Sequence, residues 1–127
     1  MSGLLKRLEV PPLYGQVVIE CEGASDLPMP ETGTERVVAT AQSILVATRG
    51  DQDGDVTIEV HGGTAVHAEG ELVFEGELNC PTPRLVVGSS LANALATVDL
   101  SEGGWVPIKV YVDPADAPSR VTVIVPA

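Results

Sequence analysis

Aromatic side chains are nearly absent from this chain: one Phe, one Trp and two Tyr make up 3% of 127 residues. A core must then be filled by Val, Leu, Ile and Ala, whose branched members suit the pleated, half-buried surface of a sheet. Basic residues are scarce too, seven against eighteen acidic ones, for a formal net charge of -11. A balance so far beyond the usual magnitude of roughly 2–8 for a small domain repels nucleic acid and attracts cationic partners. No long uncharged apolar run occurs, which excludes a membrane-spanning helix. Near the start only Leu4 and Leu5 are apolar beside Lys6 and Arg7, too few for the apolar region of a secretory signal, so a cytoplasmic protein is expected.

Cysteine is limited to Cys21 and Cys80. In a reducing cytoplasm both are expected as free thiols, Cys21 as a small buried hydrophobe and Cys80 in a turn before Pro81. Neither has metal-ligand spacing, and His61 and His67 are separated by Gly62 and Gly63; no metal site and no cofactor are expected. Catalytic motifs are missing as well. There is no Gly-x-Ser-x-Gly elbow, Ser89 and Ser90 have no recognisable His partner, and Gly62-Gly63-Thr64 and Gly103-Gly104 lack the lysine and strand-to-helix context of a phosphate loop. The chain is therefore expected not to be an enzyme.

What is present is 44% hydrophobic residues in short alternating runs, enough for one domain with one core. Pro11 and Pro12 stop any helix, which predicts an N-terminal arm or short helix over 1–13 and a single domain over 14–127. From Gln16 to Glu22, Val17, Ile19 and Cys21 alternate with Val18, Glu20 and Glu22, the period of a half-buried strand. Residues 23–34 carry Gly, Pro and polar residues and read as a long connection. Ser43–Thr48 and Asp55–His61 read as a hairpin around a polar loop. Further strands are expected over 70–78, 84–87, 96–100, 105–112 and 120–125, with Pro107 at a sheet edge or bulge. Roughly eight short strands without a helical period predict an all-β fold, a two-sheet antiparallel β-sandwich.

Three groups of residues are candidates for function. Along 70–78 the strand period sets Glu71, Glu75 and Glu77 on one face, opposite Leu72, Phe74 and Leu78. Asp51, Asp53 and Asp55 crowd the loop tip, where they suggest calcium. An EF-hand, however, has glycine at its sixth position and glutamate at its twelfth, whereas Gly54 is fourth and Glu59 ninth. A solvated turn is the simpler reading. Trp105 and Tyr111 share a strand face with Lys109, as interface anchors would; scarcity of aromatics argues instead for drawing Trp105 into the edge of the core.

The order of these segments resembles the competence protein J group of acidic nuclease inhibitors. The likeness lies in Gln16-Val17-Val18-Ile19, the proline-bearing connection, Ser43-Ile44-Leu45-Val46 with Val56-Thr57-Ile58-Glu59-Val60, and Val98-Asp99-Leu100-Ser101-Glu102-Gly103-Gly104-Trp105 leading into Val110-Tyr111-Val112. The resemblance implies an acidic face that plugs the basic substrate cleft of a nuclease. The resulting expectation is a non-enzymatic, acidic module that binds a cationic protein partner, as inhibitor or immunity protein to a nuclease or toxin. Alternatives are a small-molecule or carbohydrate-binding sandwich, with Trp105 and Tyr111 as a stacking platform, and a structural homo-oligomer subunit built by sheet extension.

Overall fold

Valine-rich runs broken at alternate positions by polar residues form ten strands among the described residues, 3–12, 15–24, 35–63, 70–89 and 94–126 of this computed structural model. One sheet has the order β1 (Gly3–Val10), β5 (Val56–Gly62), β10 (Arg120–Val125), β9 (Gly104–Asp113) and β6 (Glu71–Cys80). The other has the order β3 (Val37–Ala39), β4 (Ser43–Ala47), β2 (Gln16–Cys21), β7 (Arg84–Ser89) and β8 (Ala94–Asp99). Neighbours run antiparallel except β5 and β10, which are parallel.

The two inner faces meet in one aliphatic core. Val17 and Ile19 of β2, Ile44 and Val46 of β4, and Leu85 and Val87 of β7 supply one half. Val56, Ile58 and Val60 of β5, Ile108 and Val110 of β9, and Val121 and Val123 of β10 supply the other. Each such side chain contributes roughly 1.5–3 kcal/mol of apolar burial. The two-layer expectation therefore holds, with aliphatic residues in the place of aromatics.

Local pairing departs from the sequence reading in four places. Residues 3–10 are a strand paired with β5, not an arm or a short helix. Lys6 and Arg7 side by side, and a register shift between Leu4 and Lys6, hide the alternation there. The three-residue β3 is also new, too short to show a period.

β4 and β5 do not form a hairpin, because they belong to different sheets. Their connection makes a single 3-10 turn at Asp51–Asp53, and the Arg49 N–H donates to the Pro118 carbonyl at 3.0 Å. That bond ties the loop to the segment entering β10, so β5 pairs beside β10 instead of folding back on β4.

The cysteines, expected as free thiols, form a disulfide. Cys21 on β2 and Cys80 on β6 are both buried, with Cα atoms 5.1 Å apart, inside the range a bridge requires. At the same corner the Asn79 N–H donates to the Ala41 carbonyl at 2.7 Å, a second tie between the layers. The connection over 25–34, Tyr14, His67, Ser90 and the side chain of Asp51 lie outside the described residues.

Candidate partner-binding surface

Strand β9 sets the coordinates of the surface. Val106, Ile108, Val110 and Val112 point into the core, so Trp105, Pro107, Lys109 and Tyr111 share the outer face. Trp105 is 60% exposed, more than any other large hydrophobic side chain among the described residues. It is not drawn into the core edge, because Gly104 precedes it and its register partner Asn79 lies on the outer face of β6. Tyr111 is half-buried beside its partners Thr122 and Leu72. Six residues of strand separate the two rings by about 20 Å. They do not make one stacking platform.

Pro107 sits in an interior strand of its sheet, not at the edge. The β9 ladder to β10 is paired as far as Lys109 and Ile124, so the missing donor of Pro107 falls where that ladder has ended, beside Pro126. This is how a proline is tolerated within a sheet.

A bulge breaks up the acidic row expected on β6. Glu77 stands opposite Pro107 and Glu75 opposite Lys109, both on the outer face, but the register shifts between Leu72 and Phe74 and leaves Glu71 opposite the core residue Val112. One inserted residue moves every side chain beyond it to the other face. Glu71 accordingly turns toward the second sheet and pairs with Arg36, which also donates to the Ala115 carbonyl at 3.1 Å. Glu75 is held by Lys109 at 3.6 Å.

The aspartate loop lies at the opposite end of the sandwich from Trp105, since it joins the end of β4 to the start of β5. Asp53 and Asp55 are exposed. Arg49 curls over Gly54 and donates to the Asp55 carbonyl, supplying the loop with its own cation. No group of three or more potential metal ligands occurs among the described residues.

Other carboxylates are shared between both outer faces. Arg84 reaches Glu22 at 3.6 Å and Asp99 at 3.5 Å; Glu59 lies between Arg7, at 3.8 Å, and His61, at 3.1 Å. Glu20, half-buried on β2, accepts from the Ser43 hydroxyl at 3.4 Å. Desolvation raises its carboxyl above the ordinary 4.5, and the Ser43 bond partly offsets this. Among the described residues neither Glu77 nor Glu102 has a cation within ion-pair reach.

Sequence reasoning missed Glu102, which is separated from the Glu75–Glu77 strand by the whole of β7 and β8. It lines a groove of about 310 Å³ with Trp105, Pro107, Pro126, Leu100 and Gly103. Pro107 and Pro126 also border a second hollow of about 110 Å³, which includes Glu75 and Lys109.

A two-sheet sandwich with an acidic exterior and an exposed indole beside an open groove defines the class of this molecule. No protein family matches the chain's sequence, and no curated protein matches it. Among solved structures it is similar to ComJ, inhibitor of the DNA degrading activity of NucA, from Bacillus subtilis: the TM-score is 0.77 at 13% identity, over 100% of this chain and 98% of that one. It is also similar to the protein described as crocagin biosynthetic gene J, with a TM-score of 0.60 at 10% identity, over 99% of this chain and 97% of that one. At such identities the likeness is one of fold, and it bears out the resemblance drawn from strand order.

Proposed function

We propose that the chain is a non-enzymatic, acidic protein-binding module that inhibits a DNA-degrading nuclease. The full-length likeness to ComJ carries this reading, and it fits a chain with no catalytic motif. Physical chemistry points the same way. A nuclease keeps a basic cleft for the phosphates of its substrate, and a protein with a net charge of -11 competes for that cleft and is steered toward it over distances of about a Debye length. An immunity role toward a toxic nuclease would use the same contacts.

The test is degradation of double-stranded DNA by a nuclease of the same host, with the purified chain added in increasing ratio. Degradation is expected to stop near stoichiometric addition, and the inhibition to weaken as salt rises from about 50 to 500 mM. Unchanged degradation at every ratio, across the host's nucleases, would overturn the reading.

A further inference from the structure

We infer that the cationic partner docks at the Trp105 end of the β6–β9 ladder, seating a lysine or arginine side chain on the indole and against the carboxylates of Glu77 and Glu102. This rests on the proposed reading of the chain as a binder of a basic protein, and it adds where and with what chemistry the contact is made.

The geometry favours this site over the other acidic positions. Trp105 stands opposite Asn79, which makes Glu77 its diagonal cross-strand neighbour, a spacing of roughly 7–8 Å that large side chains bridge. Glu102 comes to the same indole from the preceding turn, across the groove they share. An aromatic face with carboxylates beside it receives a guanidinium or ammonium twice over, through the ring quadrupole and through charge.

What separates these two acids from the rest is an unpaired carboxylate beside an exposed aromatic. Glu9, Asp53, Asp55, Asp113 and Asp116 also lack an ion pair among the described residues, but they lie toward the other end of the fold. Lys109 already engages Glu75, Arg36 engages Glu71, and Arg84 engages both Glu22 and Asp99. The loop of Asp53 and Asp55, whose Asp55 main-chain carbonyl accepts from Arg49, lies at the far end of the fold, with no exposed aromatic beside it among the described residues. Interfaces concentrate their energy in Trp, Tyr and Arg contacts ringed by residues that exclude water. Pro107 and Pro126 supply such a rim here, exposed or half-exposed and free of side-chain charge.

Trp105 is the sole tryptophan, so its fluorescence reports on this site alone. The probe is a hexa-arginine peptide at about 50 mM salt, where exposed charges are least screened. We expect a saturable change in Trp105 emission that hexa-glutamate does not produce. The Glu77→Gln/Glu102→Gln variant should bind about tenfold more weakly, and Asp53→Asn/Asp55→Asn like the parent. No emission change with hexa-arginine, or equal losses in the two double variants, would overturn the assignment whatever the nuclease assay gives. Inhibition of the host nuclease, measured in parallel with Trp105→Ala, keeps the outcomes distinct. A parent that binds the peptide but inhibits nothing removes the nuclease reading and leaves the site standing. A parent that inhibits while Trp105→Ala inhibits equally well removes the site and leaves the reading. Thermal unfolding of Trp105→Ala, a change at an exposed position, checks that the variant is folded.

Discussion

Cys21 and Cys80 are 59 residues apart in the chain and joined at the core, one on each sheet. Closing a loop of that length restricts the unfolded ensemble, which in the chain-entropy account stabilises the fold by about 4 kcal/mol. The Cys21→Ala/Cys80→Ala variant is therefore expected to lose about 3–4 kcal/mol in urea unfolding, and alkylation of the parent before reduction to label neither cysteine. A variant as stable as the parent, or two labelled thiols in the parent, would contradict the bridge.

Gly88, within β7, pairs with Val18 on one side and Leu95 on the other. Its φ is +142°, and a Cβ there would lie 2.0 Å from the Ala94 carbonyl oxygen. The obstacle is the backbone of the edge strand β8, not the end of a flexible side chain, so the β7–β8 ladder must shift to admit a methyl group. Gly88→Ala is expected to cost about 2 kcal/mol or more, from strain and a displaced ladder together. Thermal unfolding measures this, and an unchanged midpoint would show that β7 relaxes freely.

Strand positions were legible because alternation is local. Val56, Ile58 and Val60 declare a buried face whatever they pair with, and the same holds for Val106 to Val112. Pairing was not legible, because the bond from Arg49 to Pro118 that sends β5 to the other sheet joins segments 69 positions apart. The site was half legible. Glu75, Glu77 and Trp105 were read from period, but Glu71 was misassigned because one inserted residue at Val73 reverses phase with no residue type to announce it. Glu102 is close to Trp105 in the chain, but nothing in the sequence shows that the fold sets that turn in one groove with Pro107 and Pro126, at the end of β6 that carries Glu77.

Glu20 gives the fold a pH dependence of known sign. Burial raises its carboxyl above 4.5, so the folded state holds the proton more tightly than the unfolded chain does. Stability from this group is then greatest below the unfolded value and falls as pH rises through the folded one. Glu20→Gln is expected to stabilise by about 0.5 kcal/mol or less at pH 7, the scale of a partly exposed position, and to have no advantage near pH 3. Ser43→Ala should act in the opposite direction at pH 7, since it removes the bond that favours the carboxylate. Unfolding midpoints at the two pH values decide; a Glu20→Gln effect that is largest in acid would reverse the assignment.

Glu71 and Glu77 separate structural charge from recognition charge on the same strand. Glu71→Lys sets a lysine beside Arg36 in place of an exposed ion pair, a loss of about 1 kcal/mol or less. It lies seven strand residues from the Trp105 row, about 23 Å, so inhibition of the nuclease should be unchanged. Glu77→Lys breaks no ion pair among the described residues and stands opposite an uncharged proline. It should leave the unfolding midpoint nearly unmoved while weakening inhibition about tenfold and flattening its salt dependence. Measuring both variants for stability and for inhibition gives a crossed result if the bulge divides the strand in this way. Parallel losses of inhibition in the two variants would mean that the partner reads the whole acidic length of β6, bulge included.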